Sequence, residues 1–176
     1  ASAPSAPSDP NQRVLFQRMS ASIEALAART DGVLSVAITD LRDGMRYALH
    51  ADHVFAVAST IKLAILFELF RQADSGLLSL SDLQPVPTTA LIEGSPILGG
   101  LLPVGSGSAT TAPRPFSLRE LAVYMIVTSD NTATNALIDR LGLAAINDLC
   151  QRLGLGKTRL RRRMLDTAAV RRGDEN

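Results

Sequence analysis

The sequence predicts an α/β (α+β) fold, several helices together with an antiparallel pair of strands. Three observations carry this. Two alternating apolar runs flank a tight Arg-Asp-Gly turn, several later segments repeat apolar residues at helical spacing, and most helical ends carry cap or glycine signals.

In chain order, the opening ASAPSAPSDP lacks the apolar residues needed to pack, so residues 1–12 read as a disordered tail. Tails of this kind follow removed secretory signals, which favours a secreted or periplasmic location. From Asn11 to about Arg29, Leu15, Met19, Ile23 and Leu26 fall on one helical face. GVLSVAITDL (32–41) and MRYALHAD (45–52) then flank Asp43-Gly44, a strong hairpin signal. Residues 13–52 therefore form a helix and two strands. Two strands alone make a marginal sheet, so further strands come from elsewhere or the chain belongs to a larger unit.

The helical domain is expected over 53–157. A helix from about Ser59 to Ala73 is apolar on nearly every side, the pattern of a helix buried mid-domain. Residues 84–116 carry six prolines and the run GSGS, and read as loop with one helical turn around Thr88 to Glu93. Ser117-Leu118-Arg119-Glu120 is a capping box opening the next helix. Two more helices, about Thr132–Arg140 and Ala144–Leu153, stop at Gly142 and Gly154. The end, 158–176, is basic and has no clean period.

Bulk properties exclude some functions. Net charge is +1, so no overall field favours nucleic acid or an anionic membrane surface. No apolar run is long enough to span a bilayer. Cys150, the only cysteine, cannot form an internal disulfide and reads as a small core residue. His50 and His53 have no acid or cysteine at a metal-binding spacing, so no metal is expected. The arginines Arg159, Arg161, Arg162 and Arg163 read as a solvated face or as ion-pair partners of Asp166, Asp174 and Glu175. A role for Glu93 as a carboxylate near the pocket carries little weight.

The chemistry begins with a choice of base. The chain uses 16 arginines and two lysines, yet position 62, inside AVASTIKLAILFELF, is Lys. A lysine can lose its proton when buried, whereas an arginine cannot. Ser59 stands three residues earlier, one helical turn away on the same face. At a helix N-terminus that turn supplies a nucleophile, an amine to accept its proton and an N–H for an oxyanion. S-x-x-K alone is common by chance. Ser129-Asp130-Asn131 is rarer, and lies at a break between helices where all three residues also suit an N-cap.

Together, ADHVFAVASTIK, SDNTATNALID and LGLGKTRL resemble the class A β-lactamase family, within the penicillin-recognising serine enzymes. Asp52, Phe55, Asn135 and Leu137 extend the match, which runs from about residue 13 to the end. The resemblance implies Ser59 as acylated nucleophile, Lys62 as proton acceptor and Ser129 as relay to the leaving nitrogen. Asn131 would bind the substrate amide and help to hold Lys62. It also implies an all-helical domain beside an antiparallel sheet domain of which only the first two strands are in this chain, a β-lactam or a D-Ala-D-Ala-like peptide as substrate, water as acceptor and no cofactor.

Two departures qualify the resemblance. In the register of Thr158-Arg159-Leu160, an omega-loop-like segment, Met164 stands where the family has the Glu that activates the deacylating water. Ala168 stands where it has Asn. Asp166 is the nearest substitute carboxylate, and release of the acyl-enzyme is expected to be slow. The K-T-G strand is absent, since Lys157-Thr158 lacks a following glycine. The expectation is an N-terminal portion, inactive alone, with a C-terminal complement as partner. A peptidase-like acyl transferase and a non-catalytic binding protein are the alternatives.

Overall fold

The computed structural model describes residues 9–102 and 112–173, in two compact units, Ala1–Phe55 and Ala56–Asn176. The GSGS run, Asp174, Glu175 and residues 1–8 of the expected tail lie outside the described residues.

In the first unit, helix α1 spans Pro10–Arg29. The Asp9 carboxylate accepts the Asn11 N–H at 2.9 Å, and Pro10 fills the first helical turn, where its missing N–H costs nothing. Residues 9–12 are thus a cap and a first turn rather than tail, because local capping outweighs composition. The inward face is also displaced from the expected one. Leu15 and Leu26 are exposed at 58% and 51%, while Phe16, Met19 and Ile23 are half-buried. Phe16 meets Tyr47 edge to face, with centroids 6.1 Å apart, which sets the rotation. Strands β1 (Val36–Thr39) and β2 (Arg46–Leu49) pair antiparallel, with Val36 opposite Leu49 and Thr39 opposite Arg46. Gly44, at φ +74°, closes their turn as the Asp-Gly signal predicts.

The second unit is mainly helical. A single 3₁₀ turn, Ala58–Thr60, leads into α2 (Ile61–Asp74). After it come β3 (Leu83–Val86), a 3₁₀ turn at Thr88–Ala90, α3 (Leu98–Leu101) and β4 (Arg114–Ser117). Helices α4 (Leu118–Val127), α5 (Asn131–Leu141), α6 (Leu143–Arg152) and α7 (Thr167–Arg171) complete it. The capping box forms as read: Ser117 Oγ accepts the Glu120 N–H at 3.2 Å, and Glu120 returns a bond to the Ser117 N–H at 2.7 Å. Gly142 ends α5 at φ +86°.

The 84–116 segment holds the expected helical turn, at Thr88–Ala90, but is less of a loop than its composition predicts. β3 and β4 form a second antiparallel pair, with Pro85 facing Pro115. Proline contributes no ladder donor, so composition argued against strands that survive as a short ribbon.

Helix α2 packs against α4, α5 and α6. Its Ile65 and Leu69, Leu121 and Met125 of α4, and Leu137 of α5 have no exposed surface. Burial of each such side chain contributes about 2 kcal/mol as an upper estimate. Coverage of α2 is nonetheless one-sided among the described residues. Leu63, Phe67 and Phe70 remain 52%, 60% and 45% exposed, contrary to the all-round burial its composition predicts.

Candidate active site

Ser59 lies in the 3₁₀ turn just before α2, and Lys62 in the first turn of α2, so the S-x-x-K spacing spans the junction of the two helix types. Ser59 is exposed, while Lys62 retains 3% of its surface. Ala58, the residue before the serine, has φ +45°, a conformation that L side chains rarely adopt. The Ser59 N–H lies in the first turn of this helical start, where N–H groups have no partner within the helix.

Ser129 has φ +58° at the break between α4 and α5. The Thr128 and Asp130 N–H groups both reach the Tyr124 carbonyl, at 3.3 and 3.1 Å, so the chain turns sharply around Ser129. Strain of this kind costs on the order of 1–3 kcal/mol and collects at functional sites. The turn brings Ser129 to α2. Lys62 Nζ donates to the Ser129 carbonyl at 2.7 Å, to Ser129 Oγ at 2.8 Å and to Asn131 Oδ1 at 3.0 Å. Ser129 Oγ in turn lies 3.1 Å from Ser59 Oγ. Four expected site residues therefore meet in one bonded group. Burial lowers the pKa of Lys62, and the nearby Asp130 carboxylate opposes that shift.

Asp130 does more than the N-cap its sequence position suggests. Oδ1 caps α5 at the Ala133 N–H, 2.9 Å, while Oδ2 accepts the Ile97 and Leu98 N–H groups at 3.2 and 3.0 Å. The carboxylate is fully buried and ties the preceding loop to α5. The same loop is fastened by a buried hydroxyl pair, Ser95 Oγ to Thr132 Oγ1 at 2.7 Å. Glu93 contributes its carbonyl, which accepts Asn131 Nδ2 at 3.1 Å. No sequence signal marks a backbone acceptor, so only the three-dimensional arrangement shows this contact.

Two asparagines bracket the 158–173 segment. Asn147 binds both the N–H and the carbonyl of Leu160, at 2.8 and 2.9 Å, and Asn135 does the same for Met164. Arg163 pairs with Asp139 at 2.5 Å, a partner outside the acids expected for the arginine cluster. Asp166 accepts the Ala169 N–H at 2.9 Å and so caps α7. It shares a cavity of about 260 Å³ with Asn135, Asp139, Arg163 and Met164, whose lining does not include Ser59, Lys62 or Ser129. Asp166 thus stands at the start of α7, with Oδ1 as the helix cap. Among the described residues, no three His, Cys, Asp or Glu side chains cluster as a metal site, and no helix is long and apolar enough to cross a membrane.

This geometry has relatives. Residues 18–176 match the beta-lactamase enzyme family. A beta-lactamase of Rhodobacter capsulatus is 29% identical over 119 residues, covering 68% of this chain and 36% of that protein. The solved beta-lactamase from Sphaerobacter thermophilus aligns with a TM-score of 0.70 at 30% identity, covering 82% of this chain and 51% of its own. A mutant of PBP-A, solved as an acyl-enzyme complex with penicillin-G, aligns at 0.71 and 28% identity, with 87% and 55% covered. The chain therefore spans little more than a third of that curated relative, and about half of each solved structure.

Proposed function

Because the chain belongs to the beta-lactamase enzyme family, we propose that it carries the acylating machinery of a serine hydrolase, with Ser59 as nucleophile. The observation that carries this reading is the continuous path from Lys62 Nζ through Ser129 Oγ to Ser59 Oγ, 2.8 and 3.1 Å. Hydroxyl hydrogens rotate, so the same heavy atoms can pass a proton in either direction.

In the forward step Lys62 is a neutral amine. Ser59 Oγ attacks the carbonyl carbon of a β-lactam, and its proton moves through Ser129 to Lys62. The new C–O bond gives a tetrahedral oxyanion, and its collapse breaks the C–N bond. The proton then returns through Ser129 to the departing nitrogen, leaving Lys62 ready again. The Ser59 N–H stabilises the oxyanion, and Asn131 offers its amide to the substrate. Hydrolysis of the ester needs a base to activate water. Met164 has no basic atom to do so, and Asp166, a shorter carboxylate two residues on, has Oδ1 bonded to the Ala169 N–H. Release is therefore slow. A secreted or periplasmic location accords with such a substrate.

Met164 also supports a second reading, a penicillin-binding, D-Ala-D-Ala peptidase-like acyl transferase whose adduct with a penicillin persists. The PBP-A acyl-enzyme is a precedent on a similar fold. No K-T-G occurs in the sequence, so the reading includes a C-terminal complement that binds the substrate carboxylate, and a chain that is inactive without it.

The test is intact mass spectrometry of the chain with benzylpenicillin, alone and with that complement supplied. The expected result is a persistent adduct in the second case only, lost in Ser59→Ala. An adduct retained by Ser59→Ala would remove the nucleophile assignment. No adduct in either case would favour a non-catalytic binding role.

A further inference from the structure

Resting on that reading, we propose that Gly94 is a positioning residue for acyl transfer, its missing side chain leaving the room in which the Asn131 amide turns its oxygen toward Lys62. Asn131 is held at three points. Its backbone N–H donates to the Gly94 carbonyl at 3.0 Å, its Nδ2 to the Glu93 carbonyl at 3.1 Å, and its Oδ1 accepts Lys62 Nζ at 3.0 Å. A Cβ at position 94 would stand 2.6 Å from Nδ2 and 3.6 Å from the amide carbon. No ordinary contact is that short.

Either the loop or the amide must yield, and the loop is the better anchored of the two. Ile92 N–H donates to Thr132 Oγ1 at 3.0 Å and Thr132 N–H to Ser95 Oγ at 2.9 Å. Asp130 holds the next two N–H groups of the loop, at Ile97 and Leu98. The amide, by contrast, pivots on two side-chain torsions. A methyl group at 94 therefore displaces Nδ2 from Glu93 and swings Oδ1 from Lys62. The ammonium then keeps two of its three acceptors, both on Ser129, with the buried Asp130 carboxylate as the charge that acts on it. Losing an acceptor disfavours the charged form.

Gly94 also sits at φ +70°, so backbone strain must be separated from the clash. The chain offers a clean probe. With two lysines in the sequence, ¹³Cε-labelled lysine gives two signals, assigned through Lys157→Arg. The titration midpoint of Lys62 is measured in the parent chain, Gly94→Ala, Asn131→Ala and the double variant. Adduct formation with benzylpenicillin, the C-terminal complement supplied, is followed in parallel.

Gly94→Ala is expected to lower the Lys62 midpoint. At a pH above both midpoints, where the amine is neutral in each chain, it should slow acylation at least about tenfold because the displaced Asn131 amide no longer meets the substrate. On the Asn131→Ala background the same change should move neither. An unshifted Lys62 midpoint in Gly94→Ala would overturn the proposal. So would an equal effect with and without the Asn131 side chain, which is the signature of backbone strain. Gly94→Asn guards against a variant that does not fold, because asparagine tolerates positive φ yet carries the same Cβ. It should reproduce the shift, and a parent-like midpoint there would also overturn the proposal. A shifted midpoint in a chain whose parent never acylates would uphold the role of Gly94 in orienting the amide while removing the proposed function.

Discussion

Asn135 grips Met164 at both ends of its backbone, its Oδ1 accepting the Met164 N–H at 2.7 Å and its Nδ2 donating to the Met164 carbonyl at 3.2 Å. The backbone at 164 is thus fixed independently of its side chain. Met164→Glu should retain the bracket and place a carboxylate where the sequence resemblance implies one. The expected outcome is decay of the penicillin adduct faster by about 100-fold, the scale of a general base, read by intact mass over time. An adduct that decays at the parent rate would mean that the register is wrong.

Lys62→Arg keeps the charge and loses the titratable amine. With the C-terminal complement supplied, acylation should fall by at least about 100-fold in the variant, measured as the rate of adduct formation. A near-parent rate would exclude Lys62 as base.

The same lysine predicts a pH dependence. Its folded pKa lies below the ordinary 10.5, so between those two values the unfolded chain binds more protons than the folded one. Stability contributed by this residue therefore rises with pH across that window, because the buried ammonium is unfavourable below it. Acylation should rise through the same folded pKa as the amine becomes neutral. A rate that stays flat up to pH 10.5 would contradict this.

Glu68 has no exposed surface, and its carboxylate receives Arg71 at 2.7 Å through both oxygens and Gln72 at 2.7 Å. The Arg71 bonds hold its pKa below the ordinary 4.5. Its stabilisation is complete above that ordinary value and fades as pH falls through the lower folded one. Glu68→Ala should cost about 3 kcal/mol in urea unfolding at neutral pH, from the broken ion pair and the space left behind. A loss within experimental error would show that the pair is dispensable.

Ser117→Ala opens the capping box of α4 and should cost about 1 kcal/mol in the same assay, with Ser117→Asp recovering most of it.

How much of this was legible in the sequence depends on range. Caps, turns and helix ends are local, and Ser117-Glu120, Asp43-Gly44 and Gly142 sit where the sequence puts them. The residues of S-x-x-K and S-D-N were legible as types, but their joining through Ser129 depends on an unusual φ that no residue preference announces. β3 and β4 were hidden because each strand holds a proline and finds its partner across a long connection. The face of α1 was misread because Phe16, unlike Leu15, has an aromatic ring to meet on β2. The Glu93 carbonyl was invisible in principle, since every residue has one.

The two small sheets differ in one respect that bears on handling the protein. Pro85 and Pro115 stand opposite each other in the β3–β4 ribbon, so each strand lacks an N–H at its centre and makes a poor template for another chain. The β1–β2 hairpin holds no proline, and among the described residues no further strand pairs with it. Self-association of concentrated samples by strand addition should start there. A lysine or proline placed at an outward position of β1 is the change that would block strand addition there.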